Sequence, residues 1–225
     1  FEWWSLGATR MFQFGGGERE VSAKTLARAF YDPRGSDNDA SVDEESGNQL
    51  ASLYSRLNFT GQVPFSIQVE LGGEDTSNNK DYQLGNPSFT AGIYFPFFFS
   101  DAISLGYEAS NWDQGWYVNN VYQKGYSHKD LVLGHWGMQD QHIAGTAVAG
   151  SSQALHLTWL TSKEHSLNVE LMSVEHDSAQ FSSAWNLDVE YEFPVRFGDL
   201  GVGVFTGKNS FGDNFLQLRV FTQWP

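Results

Sequence analysis

Apolar and polar residues alternate along most of this chain with a period of two. Residues 64–73 set Phe65, Ile67, Val69 and Leu71 against Ser66, Gln68 and Glu70. Residues 102–110 set Ile103, Leu105, Tyr107 and Ala109 against Ser104, Gly106, Glu108 and Ser110. The same rhythm runs through 183–193, where Leu187, Val189 and Tyr191 oppose Asp188, Glu190 and Glu192, and through 214–224, where Leu216, Leu218 and Val220 oppose Gln217 and Arg219. Weaker versions occupy 2–13, 49–59, 88–98, 115–122, 140–149, 153–162, 165–174 and 199–207. Successive side chains of a strand point to opposite faces, so each segment reads as a strand with one greasy and one wet face. The pattern predicts roughly twelve antiparallel strands of about ten residues. One stretch reads as helix, Glu20 to Phe30, with Val21, Leu26 and Phe30 in phase and Ser22 placed to cap it. Asp32-Pro33 stops it, and 32–48 is an acidic loop carrying Asp37, Asp39, Asp43, Glu44 and Glu45. No linker divides the chain, so 1–225 is read as one domain.

Alternation suits a soluble sandwich or a lipid-facing barrel, and three features favour the barrel. Strands of about ten residues match a tilted membrane crossing, whereas soluble strands average five or six. Asp188, Glu190 and Glu192 share one strand face, which a wet barrel lumen would hydrate. Aromatics mark strand ends at Phe59, Phe65, Tyr107, Phe193 and Trp224, as interfacial girdles do. Connection lengths agree. With the C-terminus in the periplasm, the turns near 60–63, 100–101, 162–164 and 194–198 fall inside and are short. The longer 15–48, 74–87, 175–182 and 208–212 fall outside. Lys124 to Gln139 is the exception, landing on the periplasmic side or folding into the lumen.

Composition narrows the partners. Lys and Arg number 13 against 27 Asp and Glu, a net charge of −14 that repels nucleic-acid phosphates. There is no Cys, so disulfides and Cys-ligated metals are excluded. The longest apolar run, Ile93 to Phe99, is interrupted by Pro96 and falls short of the about 20 residues a spanning helix needs. The opening Phe1-Glu2-Trp3-Trp4 has no basic or apolar leader, so a targeting peptide has been removed or the chain is part of a longer one.

Catalytic and cofactor motifs are weak. His128, His135 and His142 recur every seventh residue, but an odd spacing alternates strand faces, and no metal or other cofactor is expected. Asp37 to Asn48 begins like a calcium loop but has Val42 where the sharp turn needs Gly. Carboxylate pairs suited to glycoside hydrolysis are unspecific among so many acids. The informative region is 108–140. Trp112, Asp113, Trp116, Tyr117 and Trp136 combine flat aromatic faces with polar neighbours, the chemistry that covers a pyranose ring and takes its hydroxyls.

The same region resembles the Wzi-type capsule-assembly outer-membrane proteins. The resemblance rests on Tyr122, Gly125 and Tyr126 followed by Leu133, Gly134, His135, Gly137 and Asp140, on Gly73-Glu74-Asp75 after a strand, and on Glu108-Ala109-Ser110. One residue separates His135 from Gly137 and two separate Gly137 from Asp140, the reverse of the family's spacing. The resemblance implies a non-enzymatic barrel of about eighteen strands in a Gram-negative outer membrane. It also implies lipid and surface polysaccharide as partners, and a missing N-terminal segment or a partner chain that completes the barrel. The alternatives are a channel whose lumen acids Asp188, Glu190 and Glu192 favour cations, and a soluble β-sandwich lectin or glycoside hydrolase.

Overall fold

The computed structural model describes residues 3–13, 21–31, 48–76, 84–116, 118, 122, 124–125, 127–128, 131–132, 138–139, 145, 147–162, 164–196 and 198–223. Ten long strands form one antiparallel sheet: β1 (Trp4–Gln13), β2 (Asn48–Phe59), β3 (Phe65–Thr76), β4 (Leu84–Phe95), β5 (Ile103–Trp112), β8 (Gly150–Ser162), β9 (His165–His176), β10 (Ala184–Val195), β11 (Gly198–Lys208) and β12 (Asn214–Gln223). Each pairs with its neighbours in chain order. A separate two-stranded ladder joins β6 (Ser127–His128) to β7 (Leu131–Val132).

The sheet therefore has ten strands, not the roughly twelve expected. The segments 115–122 and 140–149 are not strands at their described residues. Their glycines explain this: Gly115 and Gly145 adopt φ of 90° and 65°, a left-handed backbone that ends a strand, and Gly125 between the two segments adopts 66°. Removing two strands together leaves every other strand's direction unchanged. It also removes the exceptional loop, because 113–149 becomes one long connection at the end that already holds the other long ones. Among the described residues β1 and β12 are not paired with each other, so the sheet is open rather than closed into a barrel.

The helix α1 spans Ala23–Tyr31 rather than Glu20 to Phe30. Its first turn is capped as expected. The Thr25 amide donates to Ser22 Oγ at 3.2 Å, and the Ser22 amide donates to Thr25 Oγ1 at 2.9 Å. That reciprocal pair is a capping box with Thr in place of Glu or Gln. The acidic loop lies outside the described residues except Asn48, which begins β2.

Register carries the apolar alternation across the whole sheet. Leu218 lies opposite Val204, Val204 opposite Val189, Val189 opposite Val169, Val169 opposite Leu157 and Leu157 opposite Leu105. No second sheet covers this face among the described residues. Leu216, Leu218 and Val220 are 68%, 75% and 74% exposed. Among the described residues, therefore, the contact that defines a two-layer sandwich, which would bury those positions, is not made. Strands of 10 to 13 residues are long enough to cross a hydrocarbon core of about 30 Å when tilted.

At the short-turn end a phenylalanine ladder borders the apolar face. Phe59 stacks on Phe65 at 4.5 Å, Phe65 meets Phe95 at 5.8 Å, Phe95 meets Phe98 at 5.5 Å and Phe98 meets Phe99 at 4.2 Å. Phe59 and Phe65 are two of the strand-end rings expected from the sequence, whereas Tyr107 lies in the middle of β5 rather than at its end and Trp224 lies outside the described residues.

If the bare face meets lipid, charge is costly there and tolerated on the other side. Leu218→Arg is expected to lower stability in a bilayer by about 2–4 kcal/mol, with Gln217→Arg near zero. Denaturant titration in lipid vesicles measures both, and equal costs would argue against lipid contact.

Candidate functional site

The opposite face of the sheet is polar in its middle and turns apolar near the long connections. Leu50, Trp112, Val174 and Ala184 are buried there with Met138, and Trp116 and Val132 pack against them. The strands supply this cluster because their inward positions change character at one end. Within β9 the inward series runs from Asn168 through Glu170 and Met172 to Val174. The long connection then folds back over the face rather than away from it.

Local geometry explains that return. The Asp113 amide donates to the Pro87 carbonyl at 3.0 Å, and the Trp116 amide donates to the Asp113 carbonyl at 3.2 Å. Gly115, at positive φ, turns the chain inward beside Asn86. The Trp116 ring then lies over Gly72, where a Cβ would come within 2.9 Å of the indole. Only glycine leaves room for that ring against the strand.

Beneath Trp116 is a cavity of about 320 Å³. Its aromatic and apolar walls are Trp112, Trp116 and Met138, and its polar floor includes Glu70, Glu108 and Ser88. Thr90 and Ser110, also on the floor, share a hydrogen bond at 2.9 Å. A planar ring above hydroxyls and carboxylates is a surface suited to a polyhydroxylated ring.

The sequence candidates fall in different places. Trp112 is 2% exposed, donates its indole N–H to the Val148 carbonyl at 3.0 Å and packs edge-on to His176. It is a wall, with no open face for stacking. Trp116 is half-buried and lines the cavity. Asp113 is exposed and organises the turn, accepting from the Gln114 amide at 2.9 Å. Glu74 is buried and accepts from Asn86 at 2.9 Å, which holds the turn under Gly115. Tyr122 and Gly125 close a turn through a 2.8 Å backbone hydrogen bond, and Gly125 also accepts from Gln13 at 3.5 Å. Tyr117, Tyr126, Gly134, His135, Trp136, Gly137 and Asp140 lie outside the described residues, as does the side chain of Asp75.

Of the lumen acids, Asp188 and Glu190 share one arginine, which leaves the pair with a net charge of about −1. Arg219 of β12 reaches across β11 to both, bonding Asp188 and lying 2.9 Å from Glu190. It crosses at Gly203, which is paired with both Arg219 and Glu190 and offers no side chain in the way. Glu192 accepts from Ser166 at 3.4 Å. Farther along the face His156 lies 3.0 Å from Glu170.

Reading by sequence missed Glu70, Ser88, Thr90 and Met138 as cavity residues. Glu70 sits on a plainly alternating strand, so its face was readable. What brings it beneath Trp116 is the pairing of β3 with β4 and of β4 with β5, which the period cannot encode.

The site belongs to a fold with known relatives. A family model described as capsule assembly protein Wzi matches residues 1–197. A solved Escherichia coli structure, of Wzi, an outer-membrane protein involved in group 1 capsule assembly and described as a carbohydrate-binding β-barrel, is similar in fold, with a TM-score of 0.64 at 17% identity. The match covers 96% of this chain and 46% of that one, so the chain spans under half the length of that relative. No curated protein matches.

The Arg219 cluster is testable by a double-mutant cycle. Its side chains keep 23–30% of their exposure, so screening limits the pair to about 1 kcal/mol. Arg219→Gln is expected to destabilise by that amount, and the loss should shrink in the Asp188→Asn background. Additive losses would show that the two side chains are not coupled.

Proposed function

We propose, from the premise that this chain belongs to the Wzi capsule assembly family, that it forms part of a Gram-negative outer-membrane barrel that binds surface polysaccharide without cleaving it. The bare apolar face meets lipid, and the polar face lines the lumen. The short turns face the periplasm and the long connections face outward. Closure of the sheet falls to chain beyond these strands or to a partner.

The observation that carries this reading is the cavity under Trp116. It opens at the long-connection end, joins an aromatic ring to hydroxyl and carboxylate groups, and is large enough for about one sugar ring. The family and the fold of the E. coli relative support the same ligand class.

Titration of the intact protein in detergent with capsular oligosaccharide tests the proposal. Trp116→Ala should weaken binding about five- to tenfold, the worth of one aromatic contact, and incubation should release no new reducing ends. Unchanged affinity would remove this cavity as the site, and new reducing ends would remove the non-enzymatic reading.

A further inference from the structure

Two arginines and one histidine stand out on the polar face, and their surroundings differ. Arg219 is held by two carboxylates and His156 by one. Arg56 of β2 is held only by neutral oxygens: it donates to Ser66 Oγ at 3.1 Å and to Asn58 Oδ1 at 3.1 Å. Among the described residues no carboxylate forms an ion pair with it. In a chain with 27 acids and 13 Lys and Arg residues, an inward arginine without a carboxylate is an exception.

Arg56 lines a second cavity of about 450 Å³ on the same face, nearer the short turns, together with Gln68, Tyr94, His156 and Thr158. Glu108 lines this cavity as well as the one under Trp116, so the two adjoin. Register fixes their layout. Arg56 is paired with Gln68, Gln68 with Gly92 and Gly92 with Glu108. Three strand spacings therefore separate Arg56 from Glu108, about 14 Å between backbones. Arg56 is thus the cationic end of a cavity whose other end carries Glu108, and a bound carboxylate would be drawn to the Arg56 end. Its guanidinium is oriented beforehand by Ser66 and Asn58, a geometry suited to a planar carboxylate.

We propose that Arg56 reads a carboxylate on the bound glycan, so that an acidic sugar occupies the Arg56 cavity while a neutral ring occupies the cavity under Trp116. This rests on the carbohydrate-binding reading above and adds the ligand's charge to it.

The test compares two probes by calorimetric titration of the intact protein in detergent. One is an oligosaccharide alternating glucuronic acid with a neutral hexose, and the other is the same oligosaccharide after carboxyl reduction. The wild type is expected to bind the acidic form about tenfold tighter, with the difference shrinking as salt is raised. Arg56→Gln should abolish the preference and leave affinity for the reduced form within twofold. Arg56→Lys should retain part of the preference, which covers the case in which the glutamine variant does not fold. Equal binding of both probes by the wild type, or a preference that survives Arg56→Gln, overturns the assignment of Arg56 and leaves the carbohydrate reading standing. Binding of neither probe overturns both.

Discussion

Each long strand has its backbone amides committed sideways to its neighbours, which leaves side chains only two directions. This constraint orders the rest of the molecule. One direction gathers Leu218, Val204, Val189, Val169, Leu157 and Leu105 into a continuous apolar row. The other gathers serines, threonines and carboxylates. No protein layer covers the apolar row among the described residues, so the sheet cannot draw its stability from an ordinary two-layer core. Its two faces belong to different solvents.

The polar face then has an electrostatic problem of its own. Asp188, Glu190 and Glu192 fall on one side of one strand because they alternate. Arg219 pairs with two of them and offsets one of their charges, and it reaches them because Gly203 leaves the strand between them bare. Glu170 has His156, and Glu192 accepts a hydroxyl. Arg56 is the reverse case, a cation held in place by neutral groups. The pattern of compensation is therefore more informative than the net charge of the chain.

The mouth obeys a third rule. Where the inward positions turn apolar, at Leu50, Trp112, Val174 and Ala184, they need a cover, and the 113–149 connection supplies Trp116 and Met138. The candidate site is the space left between that cover and the polar floor. Trp112 and Trp116 are only four residues apart yet play different parts. Trp112 ends a strand and is sealed by Val148, whereas Trp116 follows a positive-φ glycine and lies over Gly72.

The sequence by itself determined the ten long strands, the two faces, the capped helix and the end at which the long connections gather, because these follow from local periodicity and from caps within a few residues of each other. It overcounted by two strands in 113–149, where aromatic and apolar residues still mimic a strand but positive-φ glycines break the backbone. It placed Trp116 among the candidates by composition alone. Only the tertiary structure decided that Trp112 is buried, that Glu70 and Glu108 lie under Trp116, and that Arg219 rather than solvent meets Asp188 and Glu190. Those facts depend on which strand lies beside which and in what register, and a side chain's own period carries no information about its neighbour across the sheet.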